Sequence, residues 1–147
     1  MSTYSDQAKA YQEALKLGAI NLEEVLIWAD EVIANEDDPS IDFIELALSK
    51  KTSEAITYLN HLALNANEEV SFKILFGILH IGLINGLCSY QDVSKRLYFW
   101  SAYETNLSGY GDLLYFWDAL DLAEAGHYGE SGKVKTELLG FLNEHKT

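Results

Sequence analysis

Residues 74–88 read ILFGILHIGLINGLC, and whether this stretch crosses a membrane or lies inside a folded core decides what kind of protein the chain makes. It is fifteen residues long, interrupted by His80 and Asn85 and preceded by Lys73. A membrane-spanning helix needs about 20 consecutive apolar residues. The stretch is therefore read as a buried central helix, with Val70–Ile84 as the most buried element of an all-α domain. Asn65 with Glu68 has the form of a capping box opening that helix, and Gly86 marks its end.

Outward from this helix, punctuation of the same kind recurs. A first helix is predicted over Ser5–Leu17, stopped by Gly18. Asn21-Leu22-Glu23-Glu24 then forms a capping box, with Asn21 as N-cap and Glu24 reaching back. The helix it opens places Leu22, Val25, Leu26, Ala29, Val32 and Ile33 on one face. Asp38-Pro39 reads as an N-cap followed by proline at the first helical position. That third helix would turn Ile41, Ile44 and Leu48 inward, with Asp42 and Glu45 on its outer side. A fourth helix starts at Thr52 or Ser53 and carries Ile56, Leu59 and Leu62. Ser89 caps another, bearing Val93, Leu97, Trp100 and Tyr103. The turn around Ser108-Gly109-Tyr110-Gly111 precedes a helix from Asp112 to Ala125, and a last helix covers Lys133 to about Glu144. The expected fold is one all-α domain over residues 1–147, with seven to eight helices. A stack of helical pairs is an open variant, since no strict repeat is visible.

Composition narrows the function. The formal net charge is −13 and the chain has a single arginine, Arg96. Phosphate contact needs clustered Lys and Arg, so direct nucleic-acid binding is not expected, and neither is docking on anionic lipid. Cys88 is the only cysteine, which excludes an intrachain disulfide and suits a reducing cytoplasm. Residues 1–15 show no basic region followed by an apolar run, so no signal peptide is expected.

Motifs of chemistry are sparse. One Glu-x-x-His spacing occurs, Glu124 to His127, with Gly126 breaking the helix between the two. A helical di-iron site needs two such motifs and further glutamates. His80 sits among Ile and Leu, where a locally satisfied histidine is expected rather than a ligand. Cys88 follows a helix end, whose negative dipole raises a thiol pKa. Asp118 and Asp121 share a helix face, but acid–base catalysis needs a cleft and shifted pKa values. No catalytic residue, metal ligand or cofactor is assigned, and a non-enzymatic role is expected.

The charge pattern is the most informative functional feature. Between Lys16 and Lys50 there are nine carboxylates and no Lys or Arg: Glu23, Glu24, Asp30, Glu31, Glu36, Asp37, Asp38, Asp42 and Glu45. A second basic-free window, residues 97–132, holds Glu104, Asp112, Asp118, Asp121, Glu124 and Glu130. Ordinary solubilising surfaces intersperse both signs. Clustered like charge costs stability, yet it steers a cationic partner. The second window also gathers eight of the eighteen aromatic residues into positions 98–117, from Tyr98-Phe99-Trp100 to Tyr115-Phe116-Trp117. Consecutive aromatics cannot all face one core, so a Tyr or Trp beside the acids is expected to anchor a partner. Trp117, Asp121 and Glu124 follow i, i+4, i+7 and would make one mixed stripe. The candidate partner-binding residues are thus Asp37, Asp38, Asp42 and Glu45 in the first window. Those in the second are Tyr110, Trp117, Asp118, Asp121 and Glu124, and this window is favoured because its aromatics can supply desolvated anchors. A purely solubilising role for both windows is the alternative.

Ala14-Leu15-Lys16-Leu17-Gly18-Ala19-Ile20, Glu24-Val25-Leu26-Ile27-Trp28-Ala29-Asp30 and Ile44-Glu45-Leu46-Ala47-Leu48 together resemble a pattern in bacterial helical proteins. Several of those are regarded as immunity proteins of polymorphic toxin systems, including contact-dependent inhibition. The resemblance implies a small cytoplasmic binding protein that occludes the active site or substrate groove of a cognate toxin domain. Charge complementarity makes a basic nuclease the preferred partner. A helical adaptor or regulatory subunit for another basic protein is the runner-up.

Overall fold

The computed structural model describes residues 3–126 and 130–147. Local capping divides these residues into helices. Thr3 and Asp6 close a capping box at the head of α1, Tyr4–Leu17. Gly18 ends that helix at φ 76°, a left-handed conformation that a side chain would strain. The Asn21–Glu24 box opens α2, Leu22–Asn35. Next come α3, Ile41–Ala47, α4, Thr52–Leu62, and α5, Glu68–Ile84. Ser89 caps α6, Tyr90–Phe99, which passes straight into a π-helical turn at Trp100–Glu104. Thr105 N–H donates to Trp100 O, five residues back, which is the π spacing. α7, Leu113–Glu124, and α8, Ser131–His145, complete eight α-helices; no strand occurs among the described residues. The all-α class follows as the sequence predicts.

Two hydrophobic clusters share α1. One joins Ala8 and Leu15 of α1 to Val25, Trp28, Phe43, Leu46 and Leu59 of α2–α4. The other joins Ala10 and Ala14 to Phe72, Phe76, Leu97, Trp100 and Leu138 of α5–α8. α1 packs on both α4 and α5. Its alanines 8, 10 and 14 are at most 1% exposed, and such small side chains let a helix lie close to neighbours on two sides. Neither cluster is complete without α1. Its buried polar residues are all paired. Asp6 Oδ1 accepts from Asn67 N–H at 2.6 Å, Gln12 Nε2 donates to Asn60 Oδ1 at 3.2 Å, and Glu13 meets Arg96.

The fold departs from expectation at three places. α5 contributes Phe72, Leu75, Phe76 and Leu79 to the core, but Ile81 and Ile84 near its end are 59% and 60% exposed. It is amphipathic rather than wholly buried, and α1 is the helix enclosed on two sides. The cap of α5 is Asn67, whose side chain accepts from Val70 N–H, not Asn65. Glu68 is thereby freed from capping, and its Oε1 accepts from Trp100 Nε1 at 2.7 Å. Lastly, Ser40 caps α3 in place of Asp38, with Pro39 outside the helix. Ile41 and Leu48 point to solvent, 64% and 66% exposed, while Phe43 and Leu46 are buried. Phe43 wins the inward position because its ring packs edge-on against both Tyr4 and Trp28.

Ser71 is fully buried in α5, and among the described residues its Oγ has no hydrogen-bond partner. An unsatisfied buried hydroxyl carries a desolvation cost with nothing to offset it. Ser71→Ala is therefore expected to raise the unfolding free energy by about 1 kcal/mol, read from the urea midpoint at unchanged slope.

Candidate functional site

The second acidic window becomes a mixed surface built from α6, the π-helical turn and α7. On α7, Leu113, Phe116 and Leu120 are buried. Leu114, Trp117, Asp118 and Asp121, at i, i+3, i+4 and i+7, fall on another face. Asp118 and Asp121 are exposed and Leu114 is 41% exposed. Trp117 is half-buried, its ring centroid 5.0 Å from Tyr98 and 5.5 Å from Phe99. Phe99 stacks in turn on Tyr103 at 5.7 Å. Tyr98, Trp117, Phe99 and Tyr103 thus form a continuous aromatic run ending at Tyr103, which is 73% exposed. The run also holds one cation, Lys95 Nζ, 5.9 Å from the Trp117 centroid.

Two of the predicted residues stand differently from the rest: Tyr110 is buried, and Glu124 is exposed but also bonded to neighbouring helices. Tyr110 is only 6% exposed and packs among Phe76, Trp100, Phe141 and His145. Its carbonyl accepts from Ser101 Oγ, so it anchors the loop after the π-helical turn and its ring belongs to the core. Glu124 is occupied as a brace: Oε2 accepts from Gln91 Nε2 at 2.9 Å and Oε1 lies 3.7 Å from Lys135 Nζ. It ties α7 to α6 and α8. Trp117, Asp121 and Glu124 keep their i, i+4, i+7 spacing along α7, with Asp118 beside them and Phe99 and Tyr103 extending the surface through Trp117. The sequence holds Phe99 and Tyr103 in its aromatic cluster, but their exposure depends on the π-helical turn, which periodicity does not reveal.

The first window is divided among α2, the link to α3 and α3 itself. Asp37 and Asp38 are exposed in that link; Asp42 and Glu45 of α3 are half-exposed. Asp42 Oδ1 lies 3.3 Å from His61 Nδ1, so part of its charge faces α4. Glu23, Glu24, Asp30 and Glu31 stand exposed along α2.

The single arginine is consumed by the interior. Arg96 Nε donates to both carboxylate oxygens of Glu13, at 3.2 and 3.0 Å, and its Nη2 also bonds Glu13 Oε2. The other side of the guanidinium holds Glu104 of the π-helical turn, with Nη2 to Oε1 at 3.1 Å. Burial alone would raise the Glu13 carboxyl, but the Arg96 hydrogen bonds and charge outweigh it and hold that pKa below the usual carboxylate value.

Burial, followed by the Asp92 charge, pushes the Cys88 thiol pKa up, opposite to an activated nucleophile. Among the described residues no three His, Cys, Asp or Glu side chains gather as metal ligands. Of the Glu124–His127 spacing, His127 lies outside the described residues. Among the described residues, too, no helix is long and apolar enough to cross a membrane.

No family model matches the chain, and neither a curated protein nor a solved structure was found to be similar to it. The surface just described is defined by its chemistry alone: exposed aromatics bordered by carboxylates.

Proposed function

We propose that this is a non-catalytic binding protein that occludes a basic partner through the α6–α7 surface. The particular role proposed is that of an immunity protein covering the Lys/Arg-rich substrate groove of a bacterial toxin domain, a nuclease by preference. The supporting observation is that exposed Tyr103 and Phe99 are joined through Trp117 to the exposed α7 face carrying Asp118 and Asp121. Aromatic side chains of this kind carry binding energy once desolvated, and the carboxylates speed encounter with a cation-rich face. The sequence resemblance to toxin-immunity proteins and the net charge of −13 agree with this reading.

The test is co-expression with the product of the adjacent gene, followed by pull-down and a toxicity-rescue assay. Tyr103→Ala combined with Asp118→Lys and Asp121→Lys should abolish rescue. These exposed positions should leave the circular dichroism spectrum unchanged. Association rate should fall steeply with added salt, because exposed charges are screened beyond about 8 Å at physiological ionic strength. Reversal of Asp37, Asp38, Asp42 and Glu45 should mainly slow association. Full protection by the triple variant would reject the α6–α7 surface as the interface. A captured basic partner without toxicity would favour an adaptor or regulatory subunit instead.

A further inference from the structure

A second surface, on other helices, combines an apolar groove with the carboxylates of α2. The groove, about 360 Å³, lies between the start of α2 and the end of α5, with Tyr11, Ile20 and Ile78 among its lining residues. Ile81 and Leu87 line it while still 59% and 54% exposed, an uncommon position for large aliphatic side chains. Glu24 lines the α2 side. Ile27 and Glu31, at i+3 and i+7 from Glu24, continue that lip, and Ile27 is 51% exposed. The groove is closely backed: a Cβ on Gly82 of α5 would come within 3.2 Å of Ala19 Cβ and Cys88 Sγ. Burial, then the charges of Glu31 and Glu24, push the Tyr11 phenol pKa up, so both carboxylates act on the groove.

We propose that this groove docks an amphipathic, Lys/Arg-bearing helix of a partner protein. The apolar stripe of that helix lies on Ile81, Leu87 and Ile27, and its cations face Glu24 and Glu31. Apolar anchors repeated at i, i+3/i+4 and i+7 are what a hydrophobic groove selects. Charge selects the sign of the flanking residues. The described residues lining the groove include no Lys or Arg, and Glu24 and Glu31 stand at its edge. A second copy of this chain would bring like charges together across the contact, given a net charge of −13. Anionic lipid is opposed in the same way. This inference goes beyond the toxin-occlusion reading, since it uses α2 and α5 rather than α6 and α7.

Calorimetric titration of the full chain with a synthetic helical peptide of about eighteen residues, or five turns, tests it. The peptide carries Leu at i, i+4, i+7 and i+11 and Lys on its other faces. A control peptide has Glu in place of every Lys. Saturable one-to-one binding of the Lys peptide alone is expected. Ile81→Lys and, separately, Ile27→Lys should each weaken it by about tenfold or more; both sites are over half exposed, so folding should survive and circular dichroism confirms it. Asp118→Lys with Asp121→Lys should leave peptide binding unchanged, whatever that variant does to toxin rescue. Equal binding of the Glu peptide would overturn the proposal. So would full binding by both isoleucine variants, or an equal loss in the α7 variant, which would mean diffuse charge attraction. Self-association of the protein abolished by Ile81→Lys would assign the groove to a second copy and also overturn it.

Discussion

Trp100→Ala is expected to lower folding stability by about 3–5 kcal/mol, the range for truncating a large buried aromatic. Trp100 is fully buried, and its ring stacks on Phe72 at 4.0 Å with planes 3° apart. Phe76 meets it edge-on at 5.9 Å and Tyr110 at 5.1 Å, so one truncation empties the centre of the α5–α8 core. It also strands Glu68 Oε1, which accepts from the indole N–H at 2.7 Å. Trp100→Phe separates the two effects, because it keeps a ring against Phe72 and loses the hydrogen bond, at about 1 kcal/mol. Urea unfolding of both variants gives the comparison. A domain of ordinary stability, about 5–15 kcal/mol, would leave the alanine variant marginal. Trp100 opens the π-helical turn that presents Tyr103, so this variant should also bind a partner of the α6–α7 surface poorly. A loss under 1 kcal/mol in Trp100→Ala would show that the aromatic core is not the main support of this half.

Arg96→Met is expected to cost about 3 kcal/mol, the low end for breaking a buried ion pair. The cost comes from Glu13, only 3% exposed, which would keep its charge without its fork of donors. Two features hold the effect to the low end. Arg96 keeps about a fifth of its side-chain surface in solvent, and Lys9 Nζ stays 3.8 Å from Glu13. The double variant Glu13→Gln with Arg96→Met should recover part of the loss, and the cycle reports the coupling between the two. The same pair sets an acid limb. The folded-state pKa of Glu13 lies below its unfolded value, near 4.3. Its contribution is therefore complete above about pH 5 and lost as pH falls through the folded value. Asp6 behaves alike: burial raises its pKa, but the backbone N–H groups of Thr3 and Asn67 outweigh that and lower it. Stability of the natural chain should fall on acidification below pH 5, and the double variant should fall less steeply. Equal slopes would mean that Glu13 does not titrate with folding.

These two predictions rest on contacts with different legibility in the amino-acid sequence. The capping signals were readable because they act within one helical turn. Asn21 with Glu24, Ser89 with Asp92 N–H, and the stop at Gly18 all involve residues at most a few positions apart. Of the face periodicity gave α2, Val25, Ala29 and Val32 are buried while Leu22, Leu26 and Ile33 are half-buried. Of Val93, Leu97, Trp100 and Tyr103, the first three are buried and Tyr103 is exposed. Two caps were placed two residues early, at Asp38 rather than Ser40 and at Asn65 rather than Asn67, because each pair holds two side chains able to cap.

The all-α class, most helix boundaries to within a residue or two, and the concentration of carboxylates on two segments were all legible in the chain. All of these follow from hydrogen bonding and side-chain spacing along a local backbone. Packing between distant helices paired Arg96 with a glutamate 83 residues away and made Glu124 a brace for three helices. It alone turned Phe43 rather than Ile41 into the core, and it buried Tyr110 while leaving Tyr103 exposed. The physical reason is that exposure and charge pairing depend on which helix lies opposite. In α3 and across positions 98–117, apolar or aromatic residues occupy more than one face, so spacing permits several inward orientations, and packing against distant helices selects one.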